Sequence, residues 1–188
     1  AGLFDVSHMG QLLVSGEGAA IALEAVLPSD IAGLALNKAR YSLLLDDEAG
    51  ILDDLMVTAR EDGFYMVVNG AVKQDDIAHL HEALPDSITL NHMDEHALLA
   101  VQGPKAVTAV ARIIAGVDSR SQPLYFMEGA AFSGAFGPLW ISRSGYTGED
   151  GVEISVAADH AQALAEALCA QPEVKPIGLG ARDSLRLE

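Results

Sequence analysis

Two adjacent carboxylates, Asp53 and Asp54, interrupt an apolar run, with Ile51-Leu52 before them and Leu55-Met56-Val57 after. In a strand, neighbouring side chains point to opposite faces, so the two acids part company there. A carboxylate turned inward must find a donor or a cation, or take up a proton. The pair reads either as a strand-end cap or turn, or as a carboxylate held to meet a cationic substrate or transition state. The second constellation is Arg143-Ser144-Gly145-Tyr146-Thr147-Gly148-Glu149-Asp150-Gly151-Val152-Glu153. Its three glycines and acidic pair define a tight turn between strands. It lacks the Gly-Lys-Ser/Thr ending of a phosphate loop, and Glu149-Asp150 repels phosphate. It is either a structural hairpin or a turn that presents Glu153 as an acceptor for the N–H donors of a heterocycle. The third, Gly178-Leu179-Gly180-Ala181-Arg182-Asp183, sets an arginine after a flexible turn. Such an arginine clamps a carboxylate or neutralises a buried acid, or it makes an ordinary surface ion pair.

Other nucleophile and metal patterns are thin. His8, His79, His81, His92, His96 and His160 are scattered, with no His-Glu-x-x-His motif, and a metal fits only the His92/His96 spacing. Cys169, the single cysteine, falls in a predicted helix and suits the core. Alone it forms no intrachain disulfide and no multi-cysteine zinc site, which fits a reducing compartment. No Rossmann fingerprint or P-loop is present. With 11 Lys+Arg against 27 Asp+Glu, the net charge is -16. An acidic surface of that strength argues against nucleic acid as a partner. It leaves room for a small anion in a local basic pocket. Half of the residues are hydrophobic, at 50 %, enough to build one large or two small cores and to exclude a disordered chain. The longest apolar runs are too short to span a bilayer, and no targeting peptide is visible.

The positioning elements follow from periodicity. Strands are expected within Gly2 to Val14 (turning at His8-Met9-Gly10), over Tyr41 to Leu45, over Ile51 to Ala59 and over Phe64 to Val68, the last two joined at Asp62-Gly63. Helices are expected over Gly16 to Leu27 and Val72 to Leu84, each stopped by a proline. The pattern then restarts. Strands are expected at Leu98 to Val101, Ala131 to Phe136, Leu139 to Ser142 and Gly151 to Val156, and helices at Pro104 to Ile114, His160 to Ala170 and Ala181 to Glu188. Leu13-Val14-Ser15-Gly16 resembles Ala100-Val101-Gln102-Gly103, 87 positions later, and Leu55-Met56-Val57 resembles Leu139-Trp140-Ile141 at an offset of 84. The order of elements points to a duplication. The expected fold is therefore α+β, with duplicated, mostly antiparallel sheet units and helices. The first repeat is expected over residues 1–90 and the second over 91–188.

Five ordered segments carry a resemblance that covers nearly the whole chain. They are Phe4-Asp5-Val6-Ser7-His8-Met9-Gly10, Ile51-Leu52-Asp53-Asp54-Leu55, Val101-Gln102-Gly103-Pro104, Ser142 to Gly151, and Gly178-Leu179-Gly180-Ala181-Arg182-Asp183-Ser184-Leu185-Arg186-Leu187-Glu188. Together they resemble the aminomethyltransferase family, the T-protein of the glycine cleavage system. The resemblance implies a folate-binding fold in which the early strands of the two halves are exchanged and intertwined. Relatives extend further, with an N-terminal segment and a C-terminal barrel that this chain lacks. The implied reaction takes the aminomethyl group from the lipoyl arm of the H-protein, releases ammonia and passes the methylene to tetrahydrofolate. The implied partners are thus lipoylated H-protein and tetrahydrofolate as co-substrate, with no nucleic acid and no membrane, in the cytoplasm or the mitochondrial matrix.

Carried over by motif, Asp54 is the catalytic carboxylate that positions folate and stabilises a cationic carbon as the carbon–sulfur bond breaks. Arg182 matches an active-site arginine that orients that acid or the incoming arm. Glu153 matches the acceptor for the pterin ring, while Met9, Tyr41 and Tyr146 match pocket-lining positions and Asn69 is a further pocket candidate. The departures are Ser144 where threonine is usual and Gly70 where alanine is usual; neither removes a charge. Two other functions fit the same resemblance. One is a folate-dependent domain of the dimethylglycine and sarcosine dehydrogenase type. The other is a non-enzymatic folate-binding regulator.

Overall fold

Alternating apolar side chains make the strands, and pairing register sorts those side chains onto one face of each sheet. The computed structural model describes residues 1–119, 121 and 123–186. In chain order it contains β1 (Gly2–Asp5), β2 (Gly10–Ser15), α1 (Ala19–Glu24), β3 (Ala39–Leu45), β4 (Ile51–Arg60), β5 (Gly63–Val68), α2 (Lys73–Ala83) and β6 (Thr89–His92). There follow β7 (His96–Gln102), α3 (Ala106–Ala111), β8 (Gly129–Gly134), β9 (Gly137–Ser142), β10 (Gly151–Ala157), α4 (Ala158–Cys169), β11 (Lys175–Pro176) and α5 (Leu179–Arg186). Leu187 and Glu188, the end of the last family-like segment, lie outside the described residues.

The chain divides into two units, Ala1–Ser7 with Glu95–Glu188, and His8–Asp94. The 8–94 unit holds a five-stranded sheet in the order β3-β4-β5-β2-β6, with every pair antiparallel. Leu12, Val14, Leu44, Leu55, Val57, Met66 and Val68 share one face, and Leu23 of α1 and Leu80 of α2 pack on it. The other unit holds a six-stranded sheet, β11-β1-β7-β10-β9-β8. It is antiparallel except where β1 runs parallel to β11. Leu3, Leu99, Val101, Ile141, Val152, Ile154 and Val156 form its core face, under Val110 of α3 and Leu164 and Leu168 of α4.

The α+β, mostly antiparallel, duplicated architecture is thus observed. β3-β4-β5-β2 in one sheet repeats as β8-β9-β10-β7 in the other. The leading strand of each repeat pairs in the opposite sheet: β1 lies beside β7, and β6 lies beside β2. Unit membership follows this pairing, so the chain crosses between units at residues 7/8 and 94/95, and the repeat boundary expected at 90/91 falls inside β6.

Three local differences from expectation have plain causes. The helix expected over 16–27 is confined to Ala19–Glu24, because Gly16 and Gly18 adopt φ of 128° and 84°, outside the right-handed helical region. The helix expected over 104–114 shortens to Ala106–Ala111, with Lys105 at φ of -109° and ψ of 5° before it, outside the helical region. The sequence gives no sign of β6, an edge strand of Thr-Leu-Asn-His with no buried residue, or of β11, which is only two residues long. Leu80 holds α2 to the sheet, and burial of such a side chain is worth roughly 1.5–3 kcal/mol before any cavity term. Leu80→Ala is expected to destabilise the protein by about 2–5 kcal/mol in a denaturant melt, leaving m unchanged.

Candidate functional site

Strand β4 runs unbroken through both acids, which removes the cap-or-turn reading of Asp53-Asp54. Asp53 pairs with Leu44 and Asp54 with Leu43. Asp53 therefore lies on the core face and is buried. Asp54, partly buried, lies on the opposite face together with Tyr41 and Met56, which pair with one another. Tyr41 is 50 % exposed. Beyond the Leu55–Val68 pair the ladder ends at Asn69, across from Asp54. Gly10 also pairs with Val68, which brings the buried Met9 to the same end of the sheet. A Cβ on Gly70 would sit 2.8 Å from the His8 carbonyl oxygen, so glycine here leaves the 8–10 turn undisturbed.

Asn69 ties both acids. Its backbone N–H donates to Asp53 Oδ2 at 3.0 Å, and its Nδ2 donates to Asp53 Oδ1 at 2.8 Å. The same Nδ2 lies 2.9 Å from Asp54 Oδ1 and 3.0 Å from the Asp54 carbonyl oxygen. Hydrogen bonds to a charged acceptor are the stronger class. The arrangement orients the Asp54 carboxylate, and the residue is half-buried on the face away from the core.

In the other unit, Glu153 sits in β10 opposite Ser142 and Ala100, away from the core face. It is 8 % exposed. Ser144 Oγ donates to Glu153 Oε2 at 2.7 Å, and Ser142 Oγ is 2.8 Å from Ser144 Oγ. Burial pushes the Glu153 carboxyl above its ordinary value, while the Ser144 hydrogen bond and the Arg182 charge pull it back only in part. Arg182 is 9 % exposed. Its guanidinium carbon lies 5.3 Å from the centre of the Tyr146 ring, and that of Arg186, one helical turn on, lies at 5.4 Å. The arginine is thus no surface ion pair. A buried acceptor beside a guanidinium and an aromatic ring suits a flat heterocycle with N–H donors.

The glycine-rich turn is structural as well. Arg143 grips Asp150 with two hydrogen bonds, Nε to Oδ1 at 2.9 Å and Nη2 to Oδ2 at 2.7 Å. The pairing holds the Asp150 carboxyl below its usual range. Gln102 Nε2 donates to the Ser144 carbonyl at 2.9 Å and to the Val152 carbonyl at 3.3 Å. A side chain at Gly145 would collide with the Gln102 amide, so the turn can wrap that glutamine only with glycine there.

The structure therefore gathers Asp54, Asn69, Met9 and Tyr41 at one sheet of the 8–94 unit. It gathers Glu153, Arg182 and Tyr146 in the other unit. A groove of about 420 Å³ in that second unit, bordered by Phe4, Gln102, Thr147, Ile177 and Leu185 among others, includes none of these seven residues. His92 and His96 belong to different units. Among the described residues no group of three or more His, Cys, Asp or Glu converges as a metal site, and no helix is long and apolar enough to cross a membrane. The sequence reading passed over Asp76, a buried acid near Asp53, although an acid leading the apolar stripe 76, 80, 84 marks it out. It also passed over the buried roles of Ser144 and Gln102.

Residues 1–188 match the family model described as the GCVT N-terminal domain. An aminomethyltransferase of Shouchella clausii is 42 % identical over 193 residues, covering 100 % of this chain and 52 % of that protein. A mitochondrial aminomethyltransferase of Saccharomyces cerevisiae is 41 % identical over 199 residues, covering 100 % and 49 %. The crystal structure of glycine cleavage system aminomethyltransferase T from Bartonella henselae aligns with a TM-score of 0.87 at 42 % identity, covering 99 % of this chain and 50 % of that one. The chain spans about half the length of the curated relatives it matches.

The Glu153 environment makes a direct expectation. Ser144 lowers the affinity of Glu153 for its proton, so Ser144→Ala raises the Glu153 pKa further. Carboxyl-resolved NMR through a pH titration measures it; an unchanged or lower value would show that the hydroxyl does not act on this acid.

Proposed function

The chain belongs to the family of GCVT N-terminal domains, and from that premise we propose that it is the folate-binding part of an aminomethyltransferase of glycine cleavage. The reaction moves one carbon. The aminomethyl group arrives on a sulfur of the lipoyl arm of H-protein. Its carbon–nitrogen and carbon–sulfur bonds break, two nitrogens of tetrahydrofolate bond the methylene, and their two protons leave with ammonia and the freed thiol. The site of action is the cytoplasm, or the mitochondrial matrix in a eukaryote.

The observation that carries this reading is the Asp54 carboxylate, oriented by Asn69 and half-buried on the face away from the core. As the carbon–sulfur bond breaks, positive charge develops on the carbon. A carboxylate placed about 4 Å away in a partly shielded site stabilises that charge by on the order of 4 kcal/mol. Realised only in the transition state, this corresponds to roughly a thousandfold in rate. Glu153 is suited to accept hydrogen bonds from the amino-ring edge of the pterin, with Ser144 and Arg182 favouring the anion that accepts them. Tyr146, held against Arg182, supplies an aromatic face for such a ring. Met9 and Tyr41 supply apolar surface near the Asp54 end of the other sheet.

Asp54→Asn and Asp54→Ala, made in the intact protein, are expected to lower kcat for methylene transfer from H-protein to tetrahydrofolate by about 10³. The far-ultraviolet circular dichroism should stay unchanged. Wild-type turnover in either variant would remove the proposed role of this carboxylate.

A further inference from the structure

Helix α2 carries an acid on its apolar stripe. Asp76, Leu80 and Leu84 follow at intervals of four and are all buried, Asp76 to 2 % exposure. A carboxyl group so placed needs a donor, or it keeps its proton. Among the described residues Asp76 Oδ2 has no hydrogen-bond partner, and the side chain acting on Asp76 most closely is another buried acid, Asp53, on the core face of β4. The charges that reach it are negative too: Asp53 from β4 and Asp75 from its own helix. Lys73, one turn earlier, sends its Nζ to the His8 carbonyl instead, at 3.0 Å. His92, on the edge strand β6 that packs on α2, is not among the groups acting on it. Two carboxyl groups bond to one another only through a proton. Burial first, then the neighbouring Asp53 carboxyl and the Asp75 charge, raise the Asp76 pKa from 3.8 to about 7.

We propose that Asp76 is a positioning residue for Asp54, acting through a relay of four side chains: its proton is donated to Asp53, Asp53 accepts from Asn69 with both oxygens, and Asn69 orients Asp54. The relay starts under α2, crosses the sheet at its end and finishes on the face away from the core. When Asp76 loses its proton, two anions meet in a dry layer and repel. Asp53 is driven off Asn69, and the amide that aimed Asp54 loses its anchor. Asp76 touches no substrate; its effect passes through the orientation of Asp54, and so rests on the catalytic role given above. The value in the folded protein lies above that of a free aspartate. Protonated Asp76 therefore supports the fold in acid, and that support is lost as the pH rises through about 7.

The test uses the intact protein and two independent readouts. The first is a carboxyl-resolved NMR titration of aspartate residues. One resonance is expected to titrate close to pH 7 and to vanish in Asp76→Asn; an Asp76 that titrates in the ordinary carboxylate range overturns the proposal whatever the enzyme does. The second is kcat against pH. The asparagine amide can donate to Asp53 without titrating, so Asp76→Asn is expected to match the wild type below pH 7. The ratio of its kcat to that of the wild type should then rise as the pH passes through 7. Asp76→Ala is expected to lose about tenfold or more in kcat, with the KM for tetrahydrofolate little changed. A ratio that stays flat with pH, or full turnover in Asp76→Ala, removes the positioning role. Wild-type protein that transfers no methylene removes the proposed function instead, and the NMR result still decides where the proton sits.

Discussion

A single amide, Asn69, holds two neighbouring carboxylates that strand geometry forces apart. Adjacent residues in a strand cannot share a face, so Asp53 goes into the core and Asp54 goes to the other side. Only a group beyond the end of the neighbouring strand can reach both, and Asn69 follows the last paired residue of β5. Its backbone N–H and side-chain amide satisfy Asp53, which would otherwise be a costly buried acid. The same amide nitrogen orients Asp54. The chemistry proposed for the outward acid thus depends on how the inward acid is satisfied. The two neighbouring residues divide structure and reactivity between them.

The acids of this chain differ in reactivity because their surroundings differ. Asp150 is paired with a guanidinium near the surface and is held low. Glu153 is buried, with a hydroxyl donor and an arginine charge that only partly offset desolvation, and it is raised. Asp76 is buried near two other acids, Asp53 and Asp75, and its pKa is raised to about 7. In a chain of net charge -16, Arg182 gains weight because it is buried and its charge acts on the buried Glu153.

The duplication shows how one topology serves unequal chemistry. The two sheets repeat the same order of four strands, and each gains the leading strand of the other repeat. Strand β4 carries its acids next to Asn69, whereas the corresponding β9 carries Trp140 and Ser142, and Glu153 stands on β10. β1 pairs with β7, and β6 pairs with β2.

Much of this was legible in the residues themselves. Short apolar runs, alternating or continuous, located β4, β5, β7, β9 and β10. The helices α2 and α4 were visible from their apolar spacing, and the repeat from the common order of elements. Asp54, Glu153 and Arg182 stood out as charges set in apolar or glycine-rich surroundings, and the ordered motifs around them identified the family. The exposed edge strand β6 was not legible, since an edge that faces water carries no apolar pattern. Nor could the sequence tell whether Asp53-Asp54 capped a strand or ran through one. Which acid faces the core, which amide joins them, and that Asp76 meets Asp53 were decided by the tertiary structure alone. Those facts depend on the register between β3, β4 and β5 and on where α2 lands. Both are set by packing between residues distant in sequence, whereas local alternation records only that two neighbours point apart.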